Sequence, residues 1–257
     1  MDTVLFNLGR FLKDEFQLDL LVGSENYPRR LVDYFNIQVY KENRLDIARL
    51  NYASNACRNY LKRNKPDLLM SIGQPHVLGY AVARAGKKFR IPTLIRATGD
   101  TFNEARFARG VLRRIKKWYL HQVLGKIAYE NADYIVSVGS SLKQILIEKG
   151  ISQEKIAVIP QPFDSDTFQP VDDREKTEAK KKIGLDGTKK CVLYSGRLSW
   201  LKGLDRLSTI IEQVIAKSDR FQFCLVGSGE LESILKKQFS SSVVVMPGSV
   251  PHETIIN

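Results

Sequence analysis

The stretch ADYIVSVGSSLKQILIEKGISQEKIAVIP, residues 132–160, decides the fold class. ADYIVSVGSS reads as a strand, LKQILIEKG as a helix, and KIAVIP as a second strand ended by Pro160. Upstream the alternation runs back through IPTLIRATGD as a strand, HVLGYAVARAGKKFR as a helix and PDLLMSIG as a strand. Residues 104–132 read as helical. A long helix is expected over 44–64, ended by Pro66, with Leu45, Ile47, Ala48, Leu50, Ala53, Ala56, Cys57, Tyr60 and Leu61 on its apolar face. FNIQVY (35–40) and LDLLVGS (18–24) are short strands, and TVLFNLGRFLKDEF (3–16) has helical spacing of Val4, Leu5, Leu8, Phe11, Leu12 and Phe16. Strands alternating with helices predict an α/β fold with a parallel sheet, because parallel strands need crossover connections and those connections bury the sheet.

Downstream, IPQPFDSDTFQPVDDREKTEAKKK holds Pro160, Pro162 and Pro170 and then a charge-dense run, the composition of an interdomain connection. The pattern then restarts: KCVLYSG, FQFCLVG and SVVVMPG as strands, GLDRLSTIIEQVIAKS and GELESILKKQF as helices, and PHETIIN opening a further helix. The expected organisation is a Rossmann-like domain over 1–160, a connection over 161–190, and a second Rossmann-like domain over 191–257. A doubly wound domain needs roughly 100 residues or more, so the second sheet reads as unfinished.

Lys and Arg outnumber Asp and Glu by 40 to 28, for a net charge of +12 over 257 residues. That balance favours anionic partners: nucleic acid, phosphorylated metabolites or acidic lipid surfaces. Cys57, Cys191 and Cys224 are far apart and read as reduced thiols, and His76, His121 and His252 are too dispersed for a metal site. The opening residues lack a signal-peptide pattern, and no apolar run approaches the ~18–20 residues that span a bilayer. A cytoplasmic protein is expected, with peripheral contact to a membrane face allowed.

Two turns place candidate chemistry at strand ends. In LYSGRLSWLKGLDRL (193–207) a strand passes through Gly196 into a helix, with Arg197 and Lys202 in the turn. Helix N-termini carry unsatisfied N–H groups and partial positive charge, so two added cations suit a bound anion such as a diphosphate leaving group. Solvated turn residues are the plain alternative. In LVGSGELESI (225–234), Gly227 and Gly229 follow a strand and Glu230 starts a helix; such a turn lets a nucleotide or sugar approach the backbone, or is simply tight. It matches neither G-x-G-x-x-G nor the P-loop spacing.

Taken together, KIAVIPQPFDSDTFQP (155–170), LYSGRLSWLKGLDRL, LVGSGELESIL (225–235) and PGSVPHETI (247–255) resemble, in order, the signature blocks of family 4 (group 1) glycosyltransferases. ADYIVSVGSSLKQILIEKGI resembles a further segment of that family in its first domain. The resemblance implies the two-Rossmann GT-B architecture. It also implies a hexosyltransferase-type reaction: a sugar passes from a nucleotide-sugar donor to a saccharide or lipid-linked acceptor, with retention, in polysaccharide biosynthesis, without cofactor or metal. Carried over by position, Arg197 and Lys202 would contact the donor diphosphate as catalytic residues. Ser195, Gly196, Gly227, Ser228, Gly229 and Glu230 would lie beside the donor. RATGD (96–100) stands where many members place a catalytic His, which makes Arg96, Thr98, Gly99 and Asp100 candidates for acceptor or sugar contact; an Arg96–Asp100 salt bridge is the alternative. Three departures stand out. Gln161-Pro162 replaces the family's Asn-Gly, and the Glu-x7-Glu segment and glycine-rich acceptor loop would fall beyond residue 257 and ahead of Met1. The sequence therefore reads as a piece of a longer enzyme.

RFARGVLRRIKKWYLHQVLGK (106–126) holds Arg106, Arg109, Arg113, Arg114, Lys116, Lys117 and Lys126 with no acid, interleaved with Phe107, Val111, Leu112, Ile115, Trp118, Tyr119 and Leu120. It suits an amphipathic segment on an anionic membrane, or a sheet-covering helix whose polar face is basic. Two other functional classes compete with glycosyl transfer: a nucleic-acid-binding module and a non-catalytic sugar-nucleotide-binding protein. The first lacks any helix-turn-helix, zinc-finger or RNP-like signature, so no nucleic-acid partner is expected.

Overall fold

The computed structural model describes residues 2–40, 46–108, 110–165 and 168–250. It divides into two compact units, residues 1–163 and 164–257. The first opens with helix α1 (Asp2–Leu12) and a two-stranded parallel sheet of β1 (Asp19–Val22) and β2 (Asn36–Val39). Its main sheet has four parallel strands in the order β3 (Leu69–Ile72), β4 (Thr93–Ala97), β5 (Tyr134–Ser137), β6 (Ile156–Val158). Strand order follows chain order, so every connection is a crossover to the next neighbour. The long helix α2 (Asp46–Leu61) precedes β3, α3 (Tyr80–Phe89) joins β3 to β4, and α6 (Ser140–Glu148) joins β5 to β6.

In β4, Thr93, Ile95, Arg96 and Ala97 are all buried, so side chains of both parities are covered and the strand has elements on both faces. The core joins Ile95 and Ile135 of the sheet to Leu142 and Leu146 of α6 and to Ile156 of β6. Burying each of these aliphatic side chains contributes roughly 1.5–3 kcal/mol. A second cluster places Tyr60 and Leu61 of α2 with Ala85 of α3 and draws in Leu21 of β1. The Tyr60 hydroxyl also donates to the Asp19 carboxylate, tying α2 to the small sheet.

A reciprocal contact registers β4 against β5. The Asp133 carboxylate accepts from both the N–H and the hydroxyl of Thr93, each at 2.8 Å, and the Thr93 hydroxyl accepts from Asp133 N–H at 3.2 Å.

The helix expected over 104–132 is broken into pieces. A 3-10 turn (Glu104–Phe107) comes first, then Gly110 with φ +88°, then α4 (Val111–Tyr119), a π-helical stretch (Leu120–Gly125) and α5 (Lys126–Asn131). The left-handed backbone at Gly110 interrupts the helix where a residue with a Cβ would be strained. A second π-helical stretch, Pro75–Gly79, leads into α3. Both π stretches carry a histidine, and the rings of His76 and His121 meet at a tilt of 52° with centroids 4.2 Å apart. His121 Nε2 is 3.9 Å from a Glu104 carboxylate oxygen.

In the second unit the charge-dense run read as connection contains helix α7 (Asp173–Lys182). Its start is a capping box: Asp172 Oδ1 accepts from Glu175 N–H at 2.8 Å, and Glu175 Oε2 accepts from Asp172 N–H at 3.3 Å. Acids in the first turn and three lysines in the last complement the helix dipole. Three parallel strands follow in the order β7 (Lys190–Ser195), β8 (Phe221–Val226), β9 (Val244–Gly248), joined by α8 (Leu204–Ile215) and α9 (Glu232–Gln238). The central strand β8 buries Gln222, Phe223, Cys224 and Leu225, covered on both faces; Leu204, Ile211, Leu231 and Leu235 pack on it. Buried Gln222 is satisfied at both ends, accepting from Asp186 N–H and donating to the Ser242 carbonyl. The further helix expected at PHETIIN lies outside the described residues.

Two stability tests follow. Asp133→Ala strands the buried Thr93 N–H and should cost about 1–3 kcal/mol, read from the urea midpoint. Burial, with His76 and Lys117 nearby, pushes the His121 imidazole down to about 4, against ~6.5 unfolded. The unfolded chain binds the proton more readily, so stability is complete at neutral pH. It falls by up to ~3 kcal/mol as pH drops from 6.5 towards 4. His121→Phe, which keeps a ring against His76 but does not titrate, should flatten that part of the stability–pH curve.

Candidate functional site

The three strands of the second unit deliver their carboxyl ends to one rim. Past the end of the β7–β8 ladder, Gly196 N–H donates to the Val226 carbonyl at 2.9 Å, and Gly227 N–H donates to the Gly248 carbonyl at 2.8 Å. The lacing continues into the loops: Leu198 N–H donates to the Ser228 carbonyl and Leu231 N–H to the Leu198 carbonyl, both at 3.0 Å. A Cβ on Gly227, where φ is +135°, would stand 1.9 Å from the Gly196 carbonyl oxygen, and one on Gly229 would stand 2.3 Å from the Leu198 oxygen. The two loops thus meet main chain to main chain, at a distance only glycine permits.

Side chains complete the rim. Leu198, with no exposed surface, anchors the Gly196–Gly203 loop in the core beside Leu204. That anchor leaves Arg197 and Lys202, on either side of it, exposed to solvent. Among the described residues neither has an ion-pair partner. Lys202 closes a 3-10 turn (Trp200–Lys202), and Gly203, with φ +71°, turns the chain into α8. Gly203 accepts the first α8 bond, from Leu207 N–H, so the N–H groups before Leu207 face the rim end of the helix without helical partners. Ser195, Ser228 and Glu230 are exposed on the same two loops, and Glu230 Oε1 accepts from Trp200 N–H at 3.4 Å.

Two residues of the rim were not singled out from the sequence. The Tyr194 hydroxyl donates to the Arg197 carbonyl at 3.0 Å, fixing the backbone that carries the cation. Ser199 is 8% exposed, and its hydroxyl has no hydrogen-bond partner among the described residues. The only trace of Ser199 in the sequence is a small polar residue between Leu198 and Trp200.

In the first unit, RATGD sits at the carboxyl end of β4. The Arg96–Asp100 salt bridge does not form. Arg96 is 4% exposed and donates to the carbonyls of Ile159 (3.4 Å) and Pro160 (3.0 Å), beyond the end of β6. Asp100 instead accepts from the backbone and side-chain amides of Asn103, closing the next turn. Arg96 belongs to the strand and reaches sideways across the sheet, whereas Asp100 belongs to the loop, so the two serve different parts of the chain. Burial pushes the Arg96 guanidinium below its ordinary value, and its Nε has no partner among the described residues. Gly99 is exposed with open space around it. No group of three or more His, Cys, Asp or Glu among the described residues could hold a metal ion.

Comparison with known proteins gives this arrangement a context. The yeast (Saccharomyces cerevisiae) phosphatidylinositol N-acetylglucosaminyltransferase GPI3 subunit is 29% identical over 130 residues, 49% of this chain and 28% of that protein. The putative colanic acid biosynthesis glycosyl transferase WcaI of Escherichia coli is 30% identical over 112 residues, 42% of this chain and 26% of that protein. The chain thus matches about a quarter of the length of these curated relatives. Among solved structures, Anabaena HepE in complex with UDP and glucose superposes with a TM-score of 0.71 at 14% identity, covering 99% of this chain and 67% of that one. That likeness speaks for the GT-B fold. Residues 175–257 match the family model of glycosyl transferases group 1. Residues 1–167 match the model of Glycosyltransferase Family 4, and the chain belongs to that family.

Proposed function

We propose that this chain serves a retaining glycosyltransferase that moves a sugar from a nucleotide-sugar donor to a saccharide or lipid-linked acceptor. The reading is carried by one observation: Arg197 and Lys202 are exposed beside a laced glycine rim, with no carboxylate among the described residues paired to either. Supporting it, HepE was solved with UDP and glucose, and the GPI3 subunit is named for transfer to phosphatidylinositol. Three free thiols fit a cytoplasmic setting.

In the proposed reaction, the bond between the anomeric carbon and the diphosphate oxygen breaks as the acceptor oxygen bonds to that carbon. The acceptor hydroxyl gives up its proton to the departing diphosphate oxygen, which also takes the electron pair of the broken bond. Arg197 and Lys202 neutralise the charge that builds on the departing oxygens. Such preorganised contacts act at the transition state more than in the ground state. Gly196, Gly227, Ser228 and Gly229 let the nucleotide reach main-chain N–H groups. Ser195 supplies polar contacts to it, and Glu230 holds the two loops together through Trp200 N–H. No cofactor or metal enters the scheme. Arg96, Gly99 and Asp100 are proposed for the acceptor side, with Arg96 acting by fixing the chain at Ile159 and Pro160.

The scheme is tested with the full-length enzyme, a panel of radiolabelled nucleotide sugars and lipid or saccharide acceptors. Arg197→Ala and Lys202→Ala should each lower kcat by roughly 10²–10³-fold; unchanged turnover in both would remove the diphosphate role. Gly227→Ala should weaken binding of UDP or GDP by at least about tenfold, because its Cβ drives the two loops apart, while the first unit keeps its folding transition. Binding of a sugar nucleotide without transfer to any acceptor would favour the non-catalytic reading instead.

A further inference from the structure

The segment from Val111 to Asn131 changes character halfway. Its second half does what a sheet-covering helix does: His121, Gly125, Ala128 and Tyr129 are buried, the last two in the core beneath β4 and β5. In its first half, α4, no residue is buried. Val111 is 73% exposed, Leu112 84%, Ile115 59%, Trp118 54% and Tyr119 52%.

At ~100° per residue these five side chains fall on one arc of ~120°. Arg113, Arg114, Lys116 and Lys117 fill the rest of the circumference, and the nine-residue helix contains no acid. Nine residues are too few for a helix to persist in water on propensity alone, and a contiguous exposed apolar face marks an interaction surface.

We infer that α4 is an in-plane membrane contact, lying on an anionic bilayer surface. Val111, Leu112, Ile115, Trp118 and Tyr119 enter the boundary between headgroups and acyl chains. The four cations flank them against lipid phosphates. The balance of the two arcs selects this partner. Nucleic acid would use the cations and leave five large apolar side chains in water. A second copy of the chain would bring two sets of four cations together. A bilayer surface satisfies both arcs at once, and Trp and Tyr suit its interface, where one end of the ring is apolar and the other wet. The inference extends the proposed function by placing a lipid-linked acceptor in the surface on which the enzyme sits; the contact itself does not require transfer.

The test is retention of the protein on vesicles of phosphatidylcholine alone and of phosphatidylcholine with phosphatidylglycerol. Trp118 and Trp200 are the two tryptophans, so Trp200→Phe leaves Trp118 as a single fluorescent reporter. Retention on the anionic vesicles, lost in high salt, with a blue shift of Trp118 is expected. Arg113→Gln and Lys117→Gln should each weaken retention about fivefold, the equivalent of ~1 kcal/mol per surface cation. Leu112→Glu and Ile115→Glu should abolish the blue shift without moving the thermal melt, since neither side chain is buried. Equal retention on neutral vesicles, or an unshifted Trp118, would overturn the inference. So would a dimer that Leu112→Glu dissolves, or RNA binding that Leu112→Glu leaves intact together with loss of vesicle retention in the unmodified protein. Vesicle binding without sugar transfer would sink the transferase reading alone, and transfer to a water-soluble acceptor without vesicle binding would sink the membrane contact alone.

Discussion

The contact on which the second unit's rim depends is between two backbones: Gly227 lies against the Gly196 carbonyl with no room for a Cβ between them. Parallel strands send all their carboxyl ends to one side of the sheet, so the loops after β7 and β8 must share that side. Hydrogen bonds from Gly196 to Val226, Leu198 to Ser228 and Leu231 to Leu198 then turn proximity into a fixed joint. With Leu198 and Ser199 sunk in the fold, Arg197 before them and Lys202 after them stay in solvent. The exposure of Arg197 and Lys202 is therefore a consequence of packing beneath them.

The excess of basic residues divides by what each cation has found to bind. Lys143 donates to the Ile156 carbonyl, Lys155 to those of Glu130 and Ala132, and Lys180 to that of Lys189. These are lysines spent on strand and helix ends, where carbonyls lack partners and the local charge is negative. Arg96 does the same from a buried position. Net charge alone cannot separate such structural cations from Arg197 and Lys202 on the glycine rim. What separates them is whether a carbonyl or carboxylate already occupies the donor.

Much of the fold was legible because its signals are local. The apolar runs at 69–72, 93–97, 134–137, 190–195 and 221–226 are strands, and the helices between them follow the expected alternation. Three features were not legible. The left-handed Gly110 and the π-helical turns split the helix expected over 104–132, and single-residue backbone geometry leaves little trace in periodicity. The capping box of α7 lies in a run so rich in charge that composition suggested a connection. Arg96 and Asp100, four residues apart with opposite charge, take partners that depend on where β6 and Asn103 sit.

The sequence by itself determined the alternating α/β order, the two glycine-bearing turns after β7 and β8, and the family to which they belong. These follow from spacing and from residue types whose backbone limits are intrinsic. Only the tertiary structure decided that the two turns touch and that Ser199 is buried. It also decided that the basic segment is half core and half exposed. Those outcomes turn on which side chain reaches which neighbour across the sheet, and burial is a property of the assembled layers rather than of any stretch of chain.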